Sequence, residues 1–172
     1  IHQAADGQVI YQDDTTMKVL ELEDPERRKE LDTDGDFVGR TGVFTSGIVA
    51  TAEGHRIALF FTGAKHAGEN LSDVLARREA ELPPPIQMCD ALSANTAGEL
   101  DTILANCMAH GRRKFVGVAD NFPAECRHVL ESLREVYKND AFARKNEMSA
   151  ADRLRFHQTE SGPLMTSLEA WM

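Results

Sequence analysis

The chain has 172 residues, 42% of them hydrophobic and 27% charged, which is long enough for a buried core and ordinary for a globular protein. Its formal net charge of −9 excludes a protein that coats nucleic acid over its whole surface but permits a local basic contact. The longest strongly apolar run, Ile57-Ala58-Leu59-Phe60-Phe61, is far too short to cross a bilayer, so no membrane partner is expected.

Residues 8–20 alternate in the manner of a strand. Odd positions carry Val9, Tyr11, Asp13, Thr15, Met17 and Val19, and even positions Ile10, Gln12, Asp14, Thr16, Lys18 and Leu20. The odd row is taken as the more apolar one, which places Asp13 on the core side, where a carboxylate requires compensation such as a metal. Residues 21–40 read as a charged loop. Residues 42–51 and 56–62 read as a β-hairpin closed by Ala52-Glu53-Gly54-His55. From Ala67, the spacing of Leu71, Val74, Leu75, Arg78 and Leu82 predicts a helix stopped by Pro83-Pro84-Pro85. Residues 86–89 form a short apolar strand ending at Asp90, a brief helix follows near Ala97, and residues 103–108 form another strand. The expected fold class is therefore α/β, with a mixed sheet and flanking helices.

Beyond Phe115 the pattern becomes all-helical. Pro123 suits a first helical turn, and Cys126, Val129, Leu130, Leu133, Val136 and Tyr137 follow helical spacing. Ser149-Ala150-Ala151-Asp152 resembles a capping box, and Ser161-Gly162-Pro163 breaks or kinks the helix it opens. Leu164, Leu168 and Trp171 continue an apolar stripe to the end of the chain, where exposed apolar surface makes self-association an expectation. A start at Ile1 and an end within this periodic stretch read as a piece of a longer protein. The odd cysteine count, Cys89, Cys107 and Cys126, reads as reduced thiols in a cytosolic protein.

Two constellations carry chemistry. Asp13 and Asp90, on strands able to neighbour one another, form a pair suited to divalent cations; otherwise Asp13 faces solvent and Asp90 caps the helix after its strand. His110, Arg112, Arg113 and Lys114 form a basic cluster able to grip phosphates, or alternatively a solvated patch. Cys107, His110, Cys126 and His128 have poor spacing for one zinc ion. Asp32-Thr33-Asp34-Gly35-Asp36 lacks the distal Glu of a calcium loop, since Val43 stands there.

These residues also carry a resemblance. Asp13-Asp14-Thr15 with Val19-Leu20, Cys89-Asp90-Ala91-Leu92-Ser93, and above all Cys107-Met108-Ala109-His110-Gly111-Arg112-Arg113-Lys114-Phe115 resemble bacterial transposases of the insertion sequence 66 family. Glu135-Val136-Tyr137, Arg153-Leu154-Arg155-Phe156-His157-Gln158 and Ser161-Gly162-Pro163-Leu164 resemble the same group, over nearly the whole chain. The resemblance implies a ribonuclease-H-like core over residues 1–115, followed by the start of an all-helical insertion over residues 116–172. It further implies an Asp-Asp-Glu triad whose first two acids match Asp13 and Asp90, two Mg²⁺ ions (or Mn²⁺), DNA as partner and the bacterial cytoplasm as location. The family's third acid lies in an Asn-Asn-x-x-Glu-Arg motif that this sequence lacks; Glu135 and Glu147 stand in other contexts. The expected activity is therefore metal-dependent DNA cleavage and strand transfer by a longer protein. The alternative is a catalytically dead product that acts only by binding DNA or a partner.

Overall fold

Strand β1, Val9–Lys18, runs through the middle of a five-stranded sheet. The computed structural model describes residues 1–32, 35, 42–52 and 54–172. A short helix α1 (His2–Ala5) leads into β1. On one side, β1 pairs antiparallel with β2 (Gly42–Ala52), which pairs antiparallel with β3 (His55–Gly63). On the other side it runs parallel to β4 (Ile86–Cys89), which runs parallel to β5 (Ile103–Asn106). The order is β3-β2-β1-β4-β5. This is the α/β fold with a mixed sheet that the sequence led us to expect. Gly54, at φ +79°, supplies the left-handed residue that the tight β2–β3 turn requires.

The faces of β1 are the reverse of the sequence reading. Ile10 and Gln12 are buried and the Asp14 side chain is 10% exposed, whereas Tyr11, Asp13, Thr15 and Met17 face outward. The reason is that helix α3 (Ala67–Leu75) packs on the even face, closing a core of Ile10, Ile48, Ala50, Leu71, Val74 and Leu75 with Ala4 and Ala5. Each of the larger side chains contributes about 1.5–3 kcal/mol by leaving water. The polar members of that row are accommodated by hydrogen bonds instead of being excluded.

Helix α3 stops seven residues earlier than the spacing to Leu82 predicts. The chain turns because the Arg78 guanidinium is used elsewhere, donating to the carbonyls of Ala5 (2.5 Å), Gly7 (2.9 Å) and Pro83 (2.7 Å). Within the stretch read as a loop, a single 3-10 turn (Leu20–Leu22) precedes helix α2, Pro25–Leu31. Asp24 caps α2 by accepting from the Glu26 N–H at 2.9 Å, and Pro25 opens it. Most of the Asp32–Asp36 run lies outside the described residues. The brief helix near Ala97 is a 3-10 turn at Ser93–Asn95.

The chain divides into two compact units, Ile1–Cys107 and Met108–Met172. The second is all-helical: α4 (Met108–Gly117), α5 (Pro123–Lys145), α6 (Ala150–Phe156), a π-helical turn (His157–Ser161) and α7 (Gly162–Trp171). The strand expected to reach Met108 ends at Asn106, so the basic run lies on α4. Ser149 caps α6 by accepting from the Asp152 N–H at 3.2 Å. The apolar stripe of α7 is not wholly open as expected. Leu168 is buried with Val129 and Leu133, and Trp171, 47% exposed, packs at a tilt against His128 with ring centroids 4.5 Å apart.

Asp140 gathers the helices of this unit electrostatically. It pairs with Arg144 at 2.6 Å, with Arg153, and with His157 at 3.6 Å. Partial burial opposes ionisation, but Arg153, Arg144 and His157 outweigh it and hold the carboxyl below its ordinary value. The unfolded chain therefore takes up the proton first. The stabilisation is present above the ordinary carboxyl pKa and is lost as pH falls through the lowered folded value. Urea melts followed by Trp171 fluorescence should lose stability as pH falls through and below the ordinary carboxyl range. Asp140→Asn should flatten that dependence, and an unchanged slope would refute this role.

Candidate metal centre and nucleic-acid interface

Asp14 is a structural carboxylate. It accepts from Ser46 Oγ at 2.6 Å and from the Ala67 N–H at 2.9 Å, with His66 Nδ1 at 3.3 Å. Ser46 in turn accepts from Asn70 Nδ2 at 2.8 Å. The carboxylate thus joins β1, β2 and the positive N-terminal end of α3.

Asp13 lies on the opposite, exposed face. Its neighbour on β2 is Gly47, which places no side chain beside the carboxylate. On the other side, the β1–β4 ladder pairs Tyr11 with Met88. Asp13 stands two residues beyond that pair on β1, and Asp90 stands two residues beyond it on the neighbouring segment, directly after β4 ends at Cys89.

Asp90 ends β4 and accepts from the Leu92 N–H at 3.2 Å and from Asn95 Nδ2 at 2.5 Å. The turn following β4 is docked firmly. The Asn95 carbonyl accepts from Gln87 Nε2 at 2.7 Å and from Gln12 Nε2, and the Ala97 carbonyl accepts from Ser72 Oγ at 2.8 Å. Gly68 on α3 is essential to that approach, because any side chain there would run into the carbonyl oxygens of Ala94 and Thr96. The adjacent Cys89 thiol is buried, and burial followed by the Asp90 charge pushes its pKa up, so it is a poor nucleophile. Among the described residues no group of three or more His, Cys, Asp or Glu side chains is arranged to hold a metal ion. The four residues weighed as zinc ligands are therefore not assembled into a site. Two carboxylates suffice for a Mg²⁺ ion that keeps most of its water and meets a phosphate.

The basic run lies on α4, with Arg112, Arg113 and Lys114 exposed and His110 partly buried. Two further cations escaped the sequence reading. Arg127 and Arg134, on α5, line a groove of about 600 Å³ together with Arg112, Leu130, Glu131 and Tyr137. Their seven-residue spacing on one helix was the available signal. Arg134 pairs with Glu135 at 3.2 Å, and Lys138 reaches the same carboxylate at 2.9 Å. Among the described residues Arg112, Arg113, Lys114 and Arg127 form no ion pair. The charge is also unevenly divided: residues 1–107 hold 19 acidic and 9 basic residues, and residues 108–172 hold 9 acidic and 10 basic.

The model of the Transposase IS66 family matches residues 2–172. The chain belongs to that family. No curated protein and no solved structure matches it. Glu135 is held in a surface ion pair by Lys138 and Arg134, which lower its pKa. No helix among the described residues is long and apolar enough to cross a membrane.

The two neighbouring aspartates should respond unequally to replacement. Asp14→Ala strands the Ser46 hydroxyl and the Ala67 N–H and should cost about 2–3 kcal/mol in urea melts. Asp13→Ala, on the exposed face, should cost no more than about 1 kcal/mol. Equal losses would contradict the assignment of Asp14 to the scaffold.

Proposed function

We propose that this chain carries part of the catalytic core of a DNA transposase, in which Asp13 and Asp90 hold divalent metal. The observation that carries the reading is that each acid follows the last β1–β4 pair, Tyr11 with Met88, by two residues. The strand order, with β1 antiparallel to β2 and parallel to β4, supports a ribonuclease-H-like fold.

Mg²⁺, or Mn²⁺, when bound as a pair, supplies activation of the attacking oxygen and stabilisation of the leaving oxygen in displacement at phosphorus. The chain's own residues contribute placement. Asp13 presents a carboxylate from the rigid middle strand, and Asp90 presents another from a turn pinned by Asn95. Arg112, Arg113 and Lys114 on α4, with His110 beside them and Arg127 on α5, grip the DNA backbone by charge and bidentate hydrogen bonds. In the reaction of the complete protein, water cuts at a transposon end and the freed 3′ hydroxyl attacks target DNA, both in line at phosphorus. Such work on the chromosome places the protein in the bacterial cytoplasm.

This chain lacks the family's third-acid motif, so alone it should bind Mn²⁺ or Mg²⁺ weakly and join no DNA strands. Calorimetric titration should show Mn²⁺ binding that is lost in both Asp13→Ala and Asp90→Ala. Retained binding in either variant would defeat the metal-site reading. Strand joining by the 172-residue chain would contradict the need for a third acid. DNA affinity, followed by fluorescence anisotropy against salt, should fall when Arg112, Arg113 and Lys114 are replaced by Ala. The log–log salt slope should shrink by about 0.9 per lost phosphate contact. An unchanged slope would reduce the cluster to a solvated patch.

A further inference from the structure

Asn95 is 1% exposed, yet its amide is only half satisfied. Its Nδ2 donates to Asp90 Oδ1 at 2.5 Å. Among the described residues its Oδ1, like the Oε1 of neighbouring Gln12, is buried without a hydrogen-bond partner. A buried acceptor left unpaired is a cost that an apolar residue of similar shape would avoid. The turn itself does not need the side chain, because the anchors from Gln12 and Gln87 go to the Asn95 main-chain carbonyl. What the side chain alone supplies is the donor aimed at Asp90.

We propose that Asn95 is a positioning residue that fixes the Asp90 carboxylate relative to Asp13 for divalent-metal binding. The inference rests on the metal-site reading of Asp13 and Asp90 and adds the group that sets their spacing. The connection is short. Gln12, the residue before Asp13 on β1, donates to the Asn95 carbonyl, and the same residue's amide donates to Asp90. Both acids are thereby referred to one buried point. With Oδ1 of Asp90 occupied by the amide, rotation of the carboxylate is restricted and its second oxygen is left to face a cation. Partners of this kind orient metal-binding carboxylates, and their loss lowers metal affinity about 10–100-fold.

Mn²⁺ titration of the 172-residue chain tests this, with thermal unfolding measured in parallel without metal. Asn95→Leu keeps the approximate volume and the main-chain anchors while deleting both the donor and the orphaned acceptor. It should weaken Mn²⁺ binding about tenfold or more, with a thermal midpoint close to that of the wild type. Should Asn95→Leu fail to fold, Asn95→Ser, polar but too short to reach Asp90, takes its place with the same expectation. Thr102→Val is the control for general loosening, because Thr102 Oγ1 donates to Gln87 Oε1 at 2.9 Å in the same buried network without touching Asp90. It should leave Mn²⁺ affinity unchanged. Wild-type affinity in the Asn95 variant, or an equal loss in Thr102→Val, would overturn the positioning role. Wild-type affinity in Asp90→Ala would instead overturn the metal-site reading on which it rests.

Discussion

The Asp14 carboxylate governs the geometry of the first unit. Set almost out of water on the inner face of β1, it is held by a serine of β2 and by the first N–H of α3. A charge in that position is tolerated because the helix terminus and two donors replace its hydration. The helix so anchored brings Gly68 against the turn after β4 and Ser72 against the Ala97 carbonyl. That turn carries Asn95, and Asn95 reaches Asp90. One aspartate of the Asp13-Asp14 pair therefore builds the frame, while its neighbour lies on the other face.

The sequence pattern made the strands, the long α5 and the α/β class legible, because alternation and helical spacing survive wherever apolar side chains define a face. It misled where polar groups are buried. Gln12 and Asp14 occupy the core row of β1 because hydrogen bonds from α3 and reaching to the Asn95 turn compensate them, and no periodicity announces such partners. Asp13 faces outward because α3 covers the even row of β1. Helix α2 was foreshadowed by Asp24-Pro25, a cap followed by a first-turn proline, and was hidden by its charge. Arg78 looked like one more turn of α3 and instead serves as a clamp on three carbonyls. Arg127 and Arg134 were unremarkable until α4 and α5 together formed a groove.

The two units divide the electrostatic work. All of the net negative charge belongs to residues 1–107, where a phosphodiester would be repelled unless cations intervened. Residues 108–172 are close to neutral, and their unpaired cations are confined mostly to α4 and the early turns of α5. Later cations, on α5 and α6, are spent on Glu135, Asp140 and Asp152. The chain's overall acidity thus conceals a local surface suited to a polyanion.

The π-helical turn at His157–Ser161 holds one more residue than an α-helical turn and sits immediately before Gly162-Pro163. It is stitched by His157 Nδ1 and Ser161 Oγ at 2.9 Å, and by Asn139 Nδ2 to the same hydroxyl at 3.2 Å. The extra residue rotates everything downstream by roughly 100° about the helix axis relative to an unbroken α-helix. That phase shift decides which side of α7 meets Val129 and Leu133. Loss of a single codon within the turn would swing Leu168 out of the core and bring a polar neighbour in, so length in this segment is constrained more tightly than composition.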